Sequence, residues 1–250
     1  MRLFNKKTHN HSSMEVDARR ILNDSTPFAI REAYRTLYTN VLYLPIESST
    51  KKIALTSAIP GEGKSIASLN LAKTIATNSP DSKVLLVDAD MRSPRICDLL
   101  GIDGHKQSGF SEYLAGIDKT PAVLPTENSN LFILPSGAVN VNTPGLIASN
   151  RMKNLMASLE TEYDYIIFDT PPVNIVSDAL LLKDYVNGYL LAVRSEFSNI
   201  NYTSDAIDAL NKAEVKLFGL ILTAYNPKSD NKFGRYSSGR YKYGYSRYES

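Results

Sequence analysis

The sequence has no tryptophan and a single cysteine, Cys97, in 250 residues. One thiol cannot close an internal disulfide, which excludes the disulfide-framed secreted scaffolds. Long apolar runs are missing too. The longest, 217–224 and 189–193, fall far short of the ~20 residues that cross a bilayer, and the N-terminal stretch has no apolar core of the kind a signal peptide carries. The expected location is cytoplasmic, so work at the inner face of a membrane would need a partner to bring the chain there. Nor is there an excess of one charge. The 28 basic and 26 acidic residues leave a formal net charge of +2, too even for the fold as a whole to be built for nucleic acid or lipid.

Hydrophobic residues make up 43% of the chain, enough to bury the core of one α/β domain of this length. The pattern divides it into three parts: a flexible arm over 1–25, a folded domain over 26–227 and a flexible tail over 228–250. The arm is polar over residues 1 to about 13, and its His9 and His11 form a lone i, i+2 pair without the further ligands of a closed metal site. Thr26-Pro27 supplies a capping hydroxyl before a proline at the first helical position. Ile30, Ala33, Tyr34, Leu37, Val41 and Leu44 then follow at helical spacing until Pro45, predicting a helix with one buried face.

From Lys52 onward, β-rich runs at 53–57, 84–87, 131–134, 165–168, 189–193 and 217–223 alternate with helical patterns. The runs are nearly continuous in apolar residues, as strands covered by helices on both faces require. A doubly wound, mostly parallel sheet follows, with ligands bound beyond the carboxyl ends of its strands.

The run 53–57 feeds Ala58-Ile59-Pro60-Gly61-Glu62-Gly63-Lys64-Ser65, which enters a helical pattern through Ile66, Leu69, Ala72 and Ala76. Strand, glycine-rich loop and helix stand in the order of a phosphate-binding loop. Pro60, Gly61, Glu62, Gly63, Lys64, Ser65 and Ile66 are therefore the expected cradle for ATP, with Lys64 reaching the β and γ phosphates and the Ser65 hydroxyl on Mg²⁺. Two further runs end in carboxylates: Asp88-Ala89-Asp90-Met91-Arg92 after 84–87, and Asp169-Thr-Pro-Pro after 165–168. Asp88 and Asp90, two apart in an extended segment, face one way. Asp169 stands where a phosphate-loop enzyme presents its metal-supporting carboxylate. Two residues stay open. Asn226 is either an adenine contact or half of a turn-forming Asn-Pro, and Arg194 either touches phosphate or merely leaves a strand.

These motifs, with the tyrosine-rich end of the chain, resemble the stand-alone cytoplasmic type of the bacterial tyrosine kinases of capsule and exopolysaccharide assembly, which share their P-loop NTPase fold with MinD- and ParA-like proteins. Glu32-Ala-Tyr-Arg35, Ser111-Glu-Tyr-Leu-Ala-Gly116, Leu134-Pro-Ser-Gly137 and Ser177-Asp178-Ala179 fit as well. The resemblance implies Asp88 as base for the incoming phenol, Lys64 and Asp90 beside it in catalysis, and Ser65, Asp90 and Asp169 as metal ligands. It implies autophosphorylation on Tyr236, Tyr241, Tyr243, Tyr245 and Tyr248. It further implies a homo-oligomer of the unphosphorylated chain with Glu32 and Arg35 at the interface, a transmembrane adaptor of the polysaccharide co-polymerase type, a cognate phosphotyrosine phosphatase and no nucleic acid. Two features depart from the family pattern: Tyr38 stands in place of its second helix arginine, and the segment after Gly137 lacks its usual proline-rich form.

Three other functions fit parts of the pattern. An ATPase switch of the partitioning type would place a lysine where Ile59 stands and has no tyrosine cluster; it would turn over ATP without making phosphotyrosine. A non-catalytic component of an export complex would bind nucleotide without hydrolysis. A tail in which arginines alternate with aromatics would suit RNA stacking, and salt-sensitive RNA binding would reveal it.

Overall fold

A computed structural model of the chain describes residues 17–103, 108–138 and 142–225. In chain order the elements are α1 (Phe28–Leu42), β1 (Lys51–Ser57), α2 (Lys64–Asn78), β2 (Val84–Asp88), α3 (Ile96–Leu100), α4 (Phe110–Ala115), β3 (Leu124–Pro125), β4 (Leu131–Leu134), α5 (Thr143–Ile147), α6 (Asn150–Glu162), β5 (Tyr165–Asp169), α7 (Asp178–Leu181), β6 (Gly188–Arg194), α8 (Ile200–Lys212) and β7 (Leu217–Thr223). All six apolar runs become strands of one sheet, in the order β3-β4-β2-β5-β1-β6-β7. Every pairing is parallel except the short β3, which runs against β4.

Alternation explains why these strands read as continuous apolar runs. Ala54, Leu85, Val87, Ile166 and Phe168 point into one core layer, with α4, α6 and α8. Ile53, Leu55, Val84, Leu86, Tyr165 and Ile167 point into the other, beneath α1 and α2. A strand buried on both faces needs apolar residues at both parities. β7 departs from this rule. It is an edge strand, and its Leu220 and Leu222 are each 55% exposed.

The N-terminal part differs from expectation in three ways. First, the chain is already packed from Asp17 onward, not from Thr26, so the segment 17–25 is no loose arm. Leu22 N–H donates to Asn70 Oδ1 at 2.8 Å, Lys73 Nζ donates to Leu22 O at 2.7 Å, and Ile21 is buried. Second, Thr26 does not cap α1. Its hydroxyl accepts from Asn23 N–H at 2.9 Å, and Pro27 holds the N-cap position without a side-chain bond. Third, α1 ends at Leu42 and fully buries only Val41.

The connections put the chemistry at one end of the sheet. β1 passes through α2 to β2, while β5 inserts between them, so the carboxyl ends of β1, β2 and β5 lie side by side.

Candidate active site

Gly61 and Gly63 take left-handed backbone at φ 87° and 84°. A residue with a Cβ would be strained at either place. At Gly63 a Cβ would also come 3.1 Å from Thr223 Oγ1. Gly63 is the N-cap of α2, and the first N–H groups of a helix have no carbonyl partner within it. The loop and helix start therefore offer donors and a positive dipole end to an anion.

Lys64 is 8% exposed. Its Nζ donates to Asp90 Oδ2 at 2.9 Å and lies 3.7 Å from Asp169 Oδ2. Asp88 and Asp169 close β2 and β5 and are paired directly across the two strands. Each carboxylate is held on one oxygen. Asp88 Oδ2 accepts from the N–H groups of Arg95 and Ile96, at 3.1 and 3.0 Å. Asp169 Oδ1 accepts from Ser68 Oγ at 3.2 Å. Their other oxygens, Asp88 Oδ1 and Asp169 Oδ2, are buried without a hydrogen-bond partner. Asp90 is 3% exposed and caps its own turn, Oδ1 accepting from Ser93 N–H at 3.0 Å.

The electrostatics follow from this crowding. Burial foremost, with the charge of Asp169 beside it, pushes the Asp88 carboxyl up to about 7 against the opposing Ile96 N–H and Lys64. Burial likewise raises Asp169. For Lys64, burial alone would depress the ammonium, but Asp169 and Asp90 outweigh it and the group moves up. Three buried carboxylates thus share one ammonium.

This set fits Mg²⁺ carried on a nucleotide. Asp169 Oδ2 has no hydrogen-bond partner and only the ion pair with Lys64 at 3.7 Å, and the surplus of negative charge around it suits a divalent cation. Among the described residues no three His, Cys, Asp or Glu side chains close a cage by themselves. Mg²⁺ is commonly held in that way, by one or two carboxylates, a hydroxyl and phosphate oxygens.

The AAA domain family matches residues 50–213. Tyrosine-protein kinase YwqD of Bacillus subtilis is 32% identical over 207 residues, 83% of this chain and 86% of that protein. Putative tyrosine-protein kinase EpsB of Ralstonia nicotianae is 33% identical over 90% of this chain, which spans 30% of it. The kinase domain of Escherichia coli tyrosine kinase ETK superposes with a TM-score of 0.71 at 32% identity, covering 79% of each chain. The chain belongs to the bacterial tyrosine kinases. Its fold is also that of MinD- and ParA-type proteins, matched at 22% and 25% identity, a likeness of fold.

In this bacterial tyrosine kinase, Lys64, Ser65, Asp88, Asp90 and Asp169 come together as the spacing expected. Glu32 and Arg35 lie apart from them on α1, joined to each other in an exposed ion pair of 2.6 Å within one helix. Tyr38 bonds Ser79 Oγ at 2.8 Å. Asn226 and the five tail tyrosines lie outside the described residues. Arg194, open between a phosphate contact and a strand exit, leaves β6 with its Nη1 donating to Gly61 O of the phosphate loop at 2.8 Å. Sequence reasoning missed Ser68 beneath Asp169, Ser198 beside Glu62, and the Arg92–Asp178 pair. Arg92 and Asp178 each stood in a motif, Asp-Ala-Asp-Met-Arg and Ser-Asp-Ala, but neither motif signalled the pairing.

Proposed function

We propose that the protein is an ATP- and Mg²⁺-dependent tyrosine kinase whose main substrate is its own C-terminal tyrosine cluster. The observation that carries this reading is Lys64 Nζ set between Asp90 and Asp169, with Asp88 facing Asp169 across the strand ends. Lys64 and the phosphate loop bind the triphosphate. Ser65, Asp90 and Asp169 hold the Mg²⁺, which neutralises phosphate charge as it is bound. A phenol with an unperturbed pKa of about 10 is almost wholly protonated near neutrality. Asp88 Oδ1, buried without a partner, is the acceptor for its proton.

The tail supplies the phenols. Between 228 and 250 the six basic residues Lys228, Lys232, Arg235, Arg240, Lys242 and Arg247 face only Asp230 and Glu249. Each phosphate adds about −1.5 to −2, so five modifications turn a cationic segment anionic. A cationic tail is attracted to the carboxylates of a neighbouring copy and a phosphorylated one repelled, which makes phosphorylation a switch on the oligomer. No helix among the described residues is long and apolar enough to cross a membrane, and the chain spans 30% of EpsB. The likeness to the tyrosine-protein kinases YwqD and EpsB supports a membrane adaptor in capsule or exopolysaccharide export as activator, with a phosphotyrosine phosphatase resetting the tail.

Mass spectrometry after incubation with Mg·ATP tests the reading. Phosphate is expected on Tyr236, Tyr241, Tyr243, Tyr245 and Tyr248, lost in the variant carrying Phe at all five. Hydrolysis without phosphotyrosine would return the protein to the ATPase switches. The Asp88→Asn variant should keep Mg·ADP binding and lose most transfer.

A further inference from the structure

Glu62 stands in the middle of the phosphate loop, yet it is 1% exposed. A carboxylate aimed at a triphosphate would oppose binding by charge. This one turns inward. Its Oε2 accepts from Ile59 N–H at 3.0 Å, closing the loop on itself. Its Oε1 accepts from the hydroxyl of Ser198, in the connection from β6 to α8. Ser198 Oγ is fixed in turn by Arg194 N–H at 2.7 Å. Among the described residues no cation forms an ion pair with Glu62, so N–H and hydroxyl donors carry its charge.

Two more bonds grip the backbone of the same turn. Arg194 Nη1 reaches Gly61 O at 2.8 Å, and Thr223 Oγ1, at the end of β7, reaches Glu62 O at 2.6 Å. Ser195 N–H donates to Thr223 O at 3.0 Å, tying these two anchors to each other. Glu196 and Ala224, beside the anchors, hold left-handed backbone at φ 58° and 52°. Residues with a Cβ keep that conformation only where their surroundings over-determine it.

We propose that Glu62 is a positioning residue for the nucleotide: anchored by Ser198, it holds the phosphate loop in its binding curve before any ligand arrives. This inference rests on the nucleotide reading of the site. A pre-shaped loop spares the ligand the ordering of that loop, so it strengthens substrate and transition-state binding alike. Losing the anchor therefore raises KM and leaves kcat in place.

The test uses the full chain as wild type, Ser198→Ala, Ser198→Thr and Glu62→Gln. Affinity for Mg·ADP is measured by calorimetry, and KM for ATP and kcat by phosphotyrosine formation. Ser198→Ala is expected to weaken Mg·ADP and raise KM about tenfold, the worth of one hydrogen bond to a charged group, with kcat nearly unchanged. Ser198→Thr, which keeps the hydroxyl, should restore most of the affinity, and Glu62→Gln, which keeps one acceptor, should fall between wild type and Ser198→Ala. A merely structural role would instead lower kcat with the folded fraction and leave KM alone, and that result overturns the proposal. Equal Mg·ADP affinity in wild type and Ser198→Ala overturns it as well. Wild-type chain that binds Mg·ADP without transferring phosphate sinks the kinase reading, and the affinities alone then decide the clasp. Wild-type chain that binds no nucleotide sinks both.

Discussion

Arg92 Nε donates to Asp178 Oδ2 at 2.6 Å, and its Nη2 reaches Oδ1 at 3.2 Å. The bidentate pair braces the turn after β2, which carries Asp90, against α7, which follows the strand carrying Asp169. The two sides are unequal: the Arg92 side chain is 44% exposed and that of Asp178 is 1% exposed. Arg92→Ala therefore strands a buried carboxylate, whereas Asp178→Ala leaves a guanidinium that water can reach. Arg92→Ala should cost about 2–3 kcal/mol in urea unfolding and Asp178→Ala about 1. Equal costs would show that the carboxylate finds another partner.

Glu32 and Arg35 pair at 2.6 Å with side chains 38% and 54% exposed. An exposed pair three apart on a helix contributes only about 0.2–0.5 kcal/mol. Glu32→Ala and Arg35→Ala should leave the unfolding midpoint of the monomer almost unmoved. If α1 is an oligomer surface, the same variants shift the sedimentation profile of the unphosphorylated chain toward monomer. A large stability loss without that shift would make the pair internal to the fold.

The part of the candidate site built from the phosphate loop and the strand ends was legible because each of its pieces has a local sequence signature. Gly61, Gly63, Lys64 and Ser65 are fixed by one loop, and Asp88 and Asp169 by the ends of apolar runs. Their supports were not legible. Ser68 meets Asp169 across 101 residues, Arg92 meets Asp178 across 86, Ser198 meets Glu62 across 136 and Thr223 meets Glu62 across 161. A lone serine or threonine has no spacing that announces such a contact. The helical period of α1 likewise marked an apolar face but not how little covers it: Ile30 is 45% exposed. Periodicity reports which residues share a side, and only the packed neighbours decide whether that side is buried.

Cys97 gives a pH prediction. Burial, helped by the charges of Asp88 and Asp98, pushes its thiol up to about 11. At pH 8 about 0.1% is thiolate, against about a quarter for a free cysteine near 8.5. Iodoacetamide should therefore react at least ~200-fold more slowly with the folded chain than in urea. Because the folded value lies above the unfolded one, the native state holds the proton longer. Its contribution to stability is complete below the unfolded value and declines as pH rises toward 11. Similar alkylation rates in folded and unfolded protein would refute the shielding.

Lys64→Met separates the two duties of that lysine. On the proposed function transfer should vanish, because the ammonium assigned to the phosphates is gone. The fold should weaken as well, since Lys64 lies 2.9 Å from Asp90 and 3.7 Å from Asp169 and is the cation those buried carboxylates share. Removing one partner of a buried ionic cluster costs on the order of 3 kcal/mol. A divalent cation offers the missing charge by another route. Added MgCl2 should then raise the melting temperature of Lys64→Met more than that of wild type, with KCl at equal ionic strength as the control. Equal shifts in the two proteins would mean that Asp90 and Asp169 do not form a cation site. A variant as stable as wild type without Mg²⁺ would mean that the carboxylates are protonated and Lys64 serves the nucleotide alone.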